Sequence, residues 1–348
     1  MKWLAILNPA AHNGVGLTRL RSLARALHQE FGAKCAWSAH PKHAHEIARN
    51  SQGFDGLIAV GGDGTIYEVV NGMNRQTQCL GIIPAGTGNG LAHELGVRNI
   101  SSALQQLRRP RLASLDLIQT RFRVGQHWHE RYVVHTSALG YLAGVVALGM
   151  GPLKCLGYLC YAVAAVIHAH RQQQFRVHLR IDDNDEQECL LTTLTVNNSR
   201  YAGPFCLFPK ARLQDGRLNL LYGSNEPPDQ LFEDLGFLTQ TYFRERSLRR
   251  EGEYVRVDLP VPMTLMLDGE LIPQVDAVRF QVVKGGLHCV AGGVSGLALL
   301  EDQEVRSSPS EGTEAAPEFR PLLKRARMTI PASIAASPPI RALNRKLS

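Results

Sequence analysis

Glycine-rich turns at the ends of two short apolar runs constrain the fold of this chain more than any other feature. Leu57-Ile58-Ala59-Val60 runs into Gly61-Gly62-Asp63-Gly64-Thr65, and Leu80-Gly81-Ile82-Ile83 runs into Pro84-Ala85-Gly86-Thr87-Gly88-Asn89-Gly90. Each run is short, bounded and rich in β-branched residues, so it reads as a buried strand of a parallel sheet. Each turn then opens a helical segment, Ile66–Val70 after the first and Leu91–Leu95 after the second. Glycine lets the backbone take φ > 0 and come close to a ligand. A helix N-terminus offers unpaired N–H groups and a partial positive charge. Two such turns on one sheet edge make a phosphate cradle. Either turn alone is an ordinary strand-to-helix loop. Asp63 and Thr65 inside the first turn shift that balance, because an acid beside phosphates points to a cation held there. No Lys-Ser or Lys-Thr pair follows, so this is not a P-loop, and neither turn reads G-x-G-x-x-G.

The turns sit within a regular alternation. Trp3–Leu7 reads as a strand, Leu17–Phe31 as a helix, Lys34–Trp37 as a strand and His43–Asn50 as a helix. This predicts an α/β domain with a mainly parallel sheet and helices on both faces. Ligands on such sheets sit beyond the carboxyl ends of the strands, where both glycine turns and the segment Asn8–Gly14 fall. After Asp116 the texture changes. Arg121–Val124, Tyr132–His135, Phe175–Ile181, Leu190–Val196, Arg217–Leu221, Tyr254–Leu259, Met263–Leu267 and Ala277–Val283 are strand-like runs, interrupted by two apolar helices between Tyr141 and His170. Strands in succession predict an antiparallel β-sandwich or open barrel. The expected organisation is an α/β domain over 1–116, joined by 290–300, then a β-sandwich over 117–289 and a disordered tail over 301–348.

The seven cysteines are odd in number and include no C-x-x-C pair, which suits reduced thiols rather than a disulfide framework or a zinc site. The apolar start of the chain is too short for the core of a signal peptide. The most apolar later stretch, Cys155–Ile167, is shorter than the roughly 20 residues that span a bilayer. It reads as a buried or membrane-facing amphipathic helix. The net charge is +7, yet Phe319–Ser348 alone holds seven basic residues and no acid, so the rest of the chain is neutral. A basic nucleic-acid surface is therefore not implied. From Glu301 on, the composition is too poor in core-forming residues to pack. Its basic run is either a solvated end or an electrostatic tether to anionic lipid.

Taken together, Gly61-Gly62-Asp63-Gly64-Thr65, Pro84-Ala85-Gly86-Thr87-Gly88-Asn89 and Leu267-Asp268-Gly269-Glu270 resemble the diacylglycerol kinase catalytic family, which includes bacterial lipid kinases and the sphingosine and ceramide kinases. Asn197-Asn198 with Tyr201-Ala202-Gly203, and Pro209–Leu218, are similar to two further segments of that family. The resemblance runs from Asn8 to about Gly293. It implies an ATP-dependent kinase that phosphorylates a hydroxyl of a diacylglycerol- or sphingoid-like lipid in a cleft between the two domains. It implies nucleotide contacts from Asn8, Pro9, Ala10, Ala11, Gly61, Gly62, Asp63, Gly64, Thr65, Glu68, Gly86, Thr87, Gly88 and Asn89. It places Glu270, Asp268 and Asp63 at the reacting end, with Glu270 as base for the lipid hydroxyl. It gives Mg²⁺ to Asp215 with the carbonyls of Arg212 and Arg217. It implies a cytoplasmic protein touching the inner membrane face, without nucleic acid, and leaves the oligomeric state open, a homodimer included.

Three positions depart from the family pattern. Gly90 stands where many bacterial members have an Asp, while sphingosine and ceramide kinases have a small residue there, so at this position the chain is more similar to them. Leu142 and Gly144 occupy positions that usually hold acids. A nucleotide-contacting Thr after the second strand has Ser38 as its nearest counterpart. Two other readings follow: a kinase of another small molecule, such as an NAD kinase, and a non-catalytic regulator that binds nucleotide or lipid. On its own Asp268-Gly269 is also a hairpin signal.

Overall fold

The computed structural model describes residues 1–11, 17–86, 88–150, 164, 174–202, 205–223 and 248–291. The first part alternates as β1 (Trp3–Leu7), α1 (Leu17–Phe31), β2 (Lys34–Trp37), α2 (His43–Arg49), β3 (Gly56–Gly61), α3 (Asp63–Gly72) and β4 (Cys79–Pro84). The strands lie in the order β2-β1-β3-β4, all parallel. β1 and β3 are buried along their whole length, as continuous apolar runs must be when helices cover both faces. α1 buries Leu20, Leu23 and Leu27, three and four residues apart and so on one face. α4 (Gly90–Glu94) and α5 (Ile100–Arg108) follow β4. Asn99 caps α5 by accepting the Ser102 N–H at 2.9 Å.

The second part contains β5 (Arg111–Val124), β6 (His127–Val133), β7 (Thr136–Gly140), α6 (Tyr141–Met150), β8 (Phe175–Ile181), β9 (Gln187–Leu191), β10 (Thr193–Asn197), β11 (Tyr201–Ala202), β12 (Phe205–Cys206), β13 (Leu218–Gly223), β14 (Leu248–Gly252), β15 (Tyr254–Leu267) and β16 (Glu270–Ala291). These strands pair with one another antiparallel. β15 serves two layers: Val255–Asp258 pairs with β8, and Leu265–Leu267 pairs with β7. Its register breaks between Asp258 and Met263, where Pro260 and Pro262 need no ladder N–H and the strand turns the corner between layers. One layer is β6-β5-β16-β15-β8-β9 and the other β15-β7-β10-β13-β14. Their inner faces share a core of Phe122, Val257, Val278 and Phe280 with Leu139, Val196 and Leu220. The end of β16 returns to the parallel sheet, Cys289 pairing with Leu80 of β4.

The strand boundaries differ from the sequence reading in places. Leu190–Val196 is two strands broken at Thr192, whose N–H and hydroxyl both go to the Gly223 carbonyl. Tyr254–Leu259 and Met263–Leu267 are one bent strand. Arg121–Val124 and Ala277–Val283 are pieces of much longer strands. The run Tyr132–His135 leaves the ladder after Val133. The expected helix over Cys155–Ile167, Ala164 excepted, and the tail from Glu301 lie outside the described residues. Among the described residues no helix is long and apolar enough to cross a membrane. The described cysteines Cys35, Cys79, Cys189 and Cys289 are free thiols.

Candidate active site

β3 and β4 bring the two glycine turns into contact. A methyl group on Gly86 would run into the Gly62 Cα, and one on Gly62 would stand 3.0 Å from the Gly86 Cα. Only glycine permits that approach. The loop after β1 is laced to the first turn. Asn8 Nδ2 donates to Thr65 Oγ1 at 2.9 Å, and Asn8 Oδ1 accepts the Ala10 N–H at 3.0 Å. Asn8, Pro9, Ala10 and Ala11 thereby stand beside Gly61–Thr65. Asn89 closes the second turn on itself, accepting the Gly86 N–H at 2.9 Å and donating to the Gly86 carbonyl at 2.7 Å. Gly88 stands next to Asp63: a Cβ there would lie 3.0 Å from Asp63 Oδ2. Thr87 lies outside the described residues.

Asp63 opens α3, with Gly62 as its cap residue. Its side chain is 30% exposed. Among the described residues its one hydrogen bond is a long one, 3.4 Å from the Leu91 N–H to Oδ1. The rest of its acceptor capacity is free for water, a cation or phosphate-bound groups. His135 faces it, with Nε2 3.9 Å from Asp63 Oδ1. Gly90 leaves room between them, since a Cβ there would lie 3.5 Å from the imidazole and 3.8 Å from Asp63 Oδ1.

The turn between β15 and β16 closes the other side. Asp268 and Gly269 have φ of +46° and +95°, the two positive values of a two-residue hairpin turn. The Asp268 carboxylate accepts three backbone N–H groups: Val134 at 2.7 Å, and His135 and Thr136 at 2.9 Å each. Burial pushes this carboxyl above its ordinary range, opposed by His135 and by the three amides. Asp268 thus fixes the turn that presents His135. Glu270 follows it and lies close to Tyr67, one helical turn beyond Asp63 on α3. The Tyr67 phenol is pushed up by burial first, then by the charges of Glu270 and Asp268. Its buried hydroxyl faces the Glu270 carboxylate, whose hydrogen bond adds to that shift.

Other residues named from the sequence stand further off. Both carboxylate oxygens of Glu68 accept N–H groups at the start of α2, from Lys42 at 3.0 Å and Ala44 at 3.1 Å. Its side chain joins two helices instead of facing the turns. The Ser38 hydroxyl is buried and donates to the Leu7 carbonyl at 3.4 Å. Leu142 is packed in an apolar cluster on α6. Asp215 accepts the Arg217 N–H at 2.9 Å. Burial pushes its carboxyl up, with a contribution from Asp116, while the amides of Arg217 and Arg212 pull it down. No group of three acidic, histidine or cysteine side chains gathers to hold a metal among the described residues. Asp215 with the two arginine carbonyls is an all-oxygen set, the kind Mg²⁺ takes, and a cation would favour the ionised Asp215 against the burial that raises it.

Sequence reasoning passed over His135, Ser199, Tyr67 and Asp116. Asp116 is buried and accepts the Gly216 N–H at 2.7 Å and the Gly285 N–H at 2.8 Å, tying the Asp215 loop to β5 and β16. No local pattern marks these residues, because their partners are distant in sequence.

A parallel sheet whose carboxyl edge carries two fused glycine turns, faced by an acid-bearing hairpin from an antiparallel region, defines an α/β protein with a candidate ligand site at that edge. Comparison narrows that class. Residues 2–120 match the diacylglycerol kinase catalytic domain. The chain is 33% identical to a diacylglycerol kinase of Staphylococcus saprophyticus over 182 residues, 51% of this chain and 57% of that protein. It is 28% identical over 261 residues to a "probable lipid kinase YegS-like" of Chromohalobacter salexigens, covering 71% of this chain and 78% of that one. The crystal structure of a diacylglycerol kinase from Bacillus anthracis superposes with a TM-score of 0.63 at 17% identity, over 84% of this chain and 97% of that chain. The likeness to the diacylglycerol kinase catalytic domain is thus carried by residues 2–120, and the chain spans little more than half the length of the diacylglycerol kinase it matches at 33% identity.

Proposed function

We propose that this chain is an ATP-dependent lipid kinase that transfers the γ-phosphate to a hydroxyl of a diacylglycerol- or sphingoid-like lipid. The observation behind this reading is the fused pair of glycine turns with a nearly unpartnered Asp63 at its head. Residues 1–116 form the nucleotide half and 117–289 the lipid half. The loop Asn8–Ala11 and the turns Gly61–Thr65 and Gly86–Asn89 hold the nucleotide. Asp63 and Asp215 suit Mg²⁺, which when bound neutralises phosphate charge. Glu270 takes the proton of the lipid hydroxyl as its oxygen attacks the γ-phosphorus and the bond to the β-phosphate oxygen breaks. Asp268 acts through the turn it fixes. The protein works at the cytoplasmic face of a membrane, and its basic tail feels anionic lipid.

The test is labelled ATP offered with a panel of lipid alcohols in mixed micelles, and separately with NAD, followed by product separation. A labelled lipid is expected from the unaltered chain and none from Asp63→Ala at an unchanged melting temperature. Label in NAD alone, or unimpaired lipid phosphorylation by Asp63→Ala, overturns the reading.

A further inference from the structure

The outer face of the layer β6-β5-β16-β15-β8 carries four arginines in one cross-strand row. Arg121 stands directly opposite Arg279, Arg279 opposite Arg256, and Arg256 opposite Arg180. Directly opposed side chains on adjacent strands lie about 5 Å apart, and like charges there destabilise the sheet. Arg256 is answered by Asp258 at 2.6 Å, and Arg123, beside the row, by Asp276 at 2.8 Å. Among the described residues Arg121, Arg180 and Arg279 have no carboxylate in ion-pair range. Glu130, opposite Arg121 on β6, makes no ion pair with it. The guanidinium groups of Arg279, Arg123 and Arg121 instead gather over the Trp128 ring at 4.9, 5.8 and 6.0 Å from its centroid. Such contacts orient cations but do not neutralise them.

Between Arg121 and Arg279 lies a hollow of about 180 Å³, completed by Gln119, Gln281 and Tyr254. No carboxylate lines it. The Arg279 Nε–H is buried without an acceptor. Gln281 donates to the Glu253 carbonyl and Gln119 to the Tyr132 hydroxyl, so each retains an amide proton. Residues 1–318 sum to zero net charge, so this concentration of unanswered positive charge is local.

We infer that this hollow is a binding site for a phosphate oxyanion. A phosphate between the two guanidinium groups accepts their forked N–H pairs. It turns their mutual repulsion into shared attraction and gives the Arg279 Nε–H its acceptor. The site lies on the solvent face of the antiparallel layer and takes no part in the active site described above. A free phosphate and the headgroup of an anionic phospholipid share this chemistry.

The test compares the full chain with Arg121→Gln/Arg279→Gln. Inorganic phosphate is added at constant ionic strength, with chloride as the balancing anion, and the melting temperature is followed. The nucleotide turns are the same in both proteins, so any phosphate effect common to both belongs to them. The inference expects phosphate to raise the melting temperature of the unaltered chain above its chloride value. It expects the double variant to lose at least about half of that gain and to start from a higher melting temperature without phosphate, because opposed charges have been removed. An equal phosphate gain in both proteins overturns the site. Should the double variant fail to fold, Arg279→Lys keeps the charge and loses the fork, and it must show the same reduced gain. Flotation with vesicles of phosphatidylglycerol or phosphatidylcholine separates the sources. Loss of phosphatidylglycerol binding in the double variant assigns the site to headgroups, and unchanged vesicle binding with a lost phosphate gain assigns it to free phosphate.

Discussion

His135 Nε2 lies 3.9 Å from Asp63 Oδ1, buried and without a hydrogen-bond partner. The other ring nitrogen explains its orientation. Ser199 Oγ donates its only proton to the Tyr201 carbonyl at 2.9 Å, so it accepts from His135 Nδ1 at 2.9 Å. With Nδ1 engaged by Ser199, Nε2 is the ring nitrogen left facing Asp63. In an interior where polar atoms are normally paired, a bare nitrogen aimed at the head of the glycine turns marks a place for a water or substrate group.

Substitutions separate the two nitrogens. His135→Asn retains a group that reaches Ser199 and deletes the one facing Asp63. It is expected to lower kcat about tenfold, or about 1.4 kcal/mol, with KM for ATP and melting temperature unchanged. His135→Gln, which restores a polar atom near the Nε2 position, should recover part of the loss. Steady-state kinetics on micellar lipid decide, and a kcat for His135→Asn equal to that of the unaltered chain removes Nε2 from the mechanism.

The approach of Gly62 to Gly86 leads to a paired prediction. Gly86→Ala forces the turns apart, because the new methyl group meets backbone that has no flexible end to yield. A stability loss of about 1–3 kcal/mol is expected, together with loss of ATP binding. Gly64→Ala meets nothing within 4 Å and should leave stability unchanged or slightly raised, since alanine favours helix. If the turn holds phosphates as proposed, its methyl group intrudes on them, and ATP affinity should fall. Thermal melts with calorimetric ATP titration read both effects, and Gly64→Ala binding ATP as well as the unaltered chain contradicts the close approach.

Asp268 and Glu270 sit two residues apart and should respond differently. Asp268→Asn puts an N–H₂ group among three backbone donors, leaving at least one buried amide unpaired at a cost of about 1–3 kcal/mol. Glu270→Gln should leave stability within about 0.5 kcal/mol and cut kcat at least about 100-fold at unchanged ATP affinity. Denaturant melts and single-turnover rates check the contrast. A Glu270→Gln protein whose losses fall equally on turnover and ATP affinity would assign Glu270 to nucleotide binding.

What was legible in the sequence follows the range of the interactions. β1, β3, β4 and α1 are announced by local periodicity, and the glycine turns by composition at a strand end. Pro260 and Pro262 made β15 look like two strands, because a residue string does not show that a strand changes layers. Glu68 is named with the first turn by the resemblance alone, and its carboxylate answers the N-terminus of α2. Asp268 reads as a reacting acid because its partners are amides more than 130 positions away. His135 has no signature, since its meaning comes from Ser199 and Asp63, which the topology alone brings to it.

Tyr67 supplies a prediction at alkaline pH. Its phenol is buried beside Glu270 and Asp268, and burial, followed by those two charges and a hydrogen bond to Glu270, holds its proton well above the ordinary tyrosine range. An unfolded tyrosine ionises at about pH 10. Below that pH both states keep the proton and Tyr67 adds no pH dependence. Above it the unfolded chain releases a proton that the folded chain retains, so the folded state loses stability as pH rises, by up to about 1.4 kcal/mol per pH unit. Tyr67→Phe removes the group and that loss. At about pH 8 the variant should differ from the unaltered chain by no more than the roughly 0.5–1.5 kcal/mol of one hydrogen bond, and this difference is the baseline. By about pH 11 the variant should be more stable by a further 1.4 kcal/mol or so. The other tyrosines and the lysines are common to both proteins, so the difference isolates Tyr67. Urea unfolding at the two pH values measures it, and a difference that does not grow with pH would show that solvent or a neighbouring group takes the Tyr67 proton in the folded state.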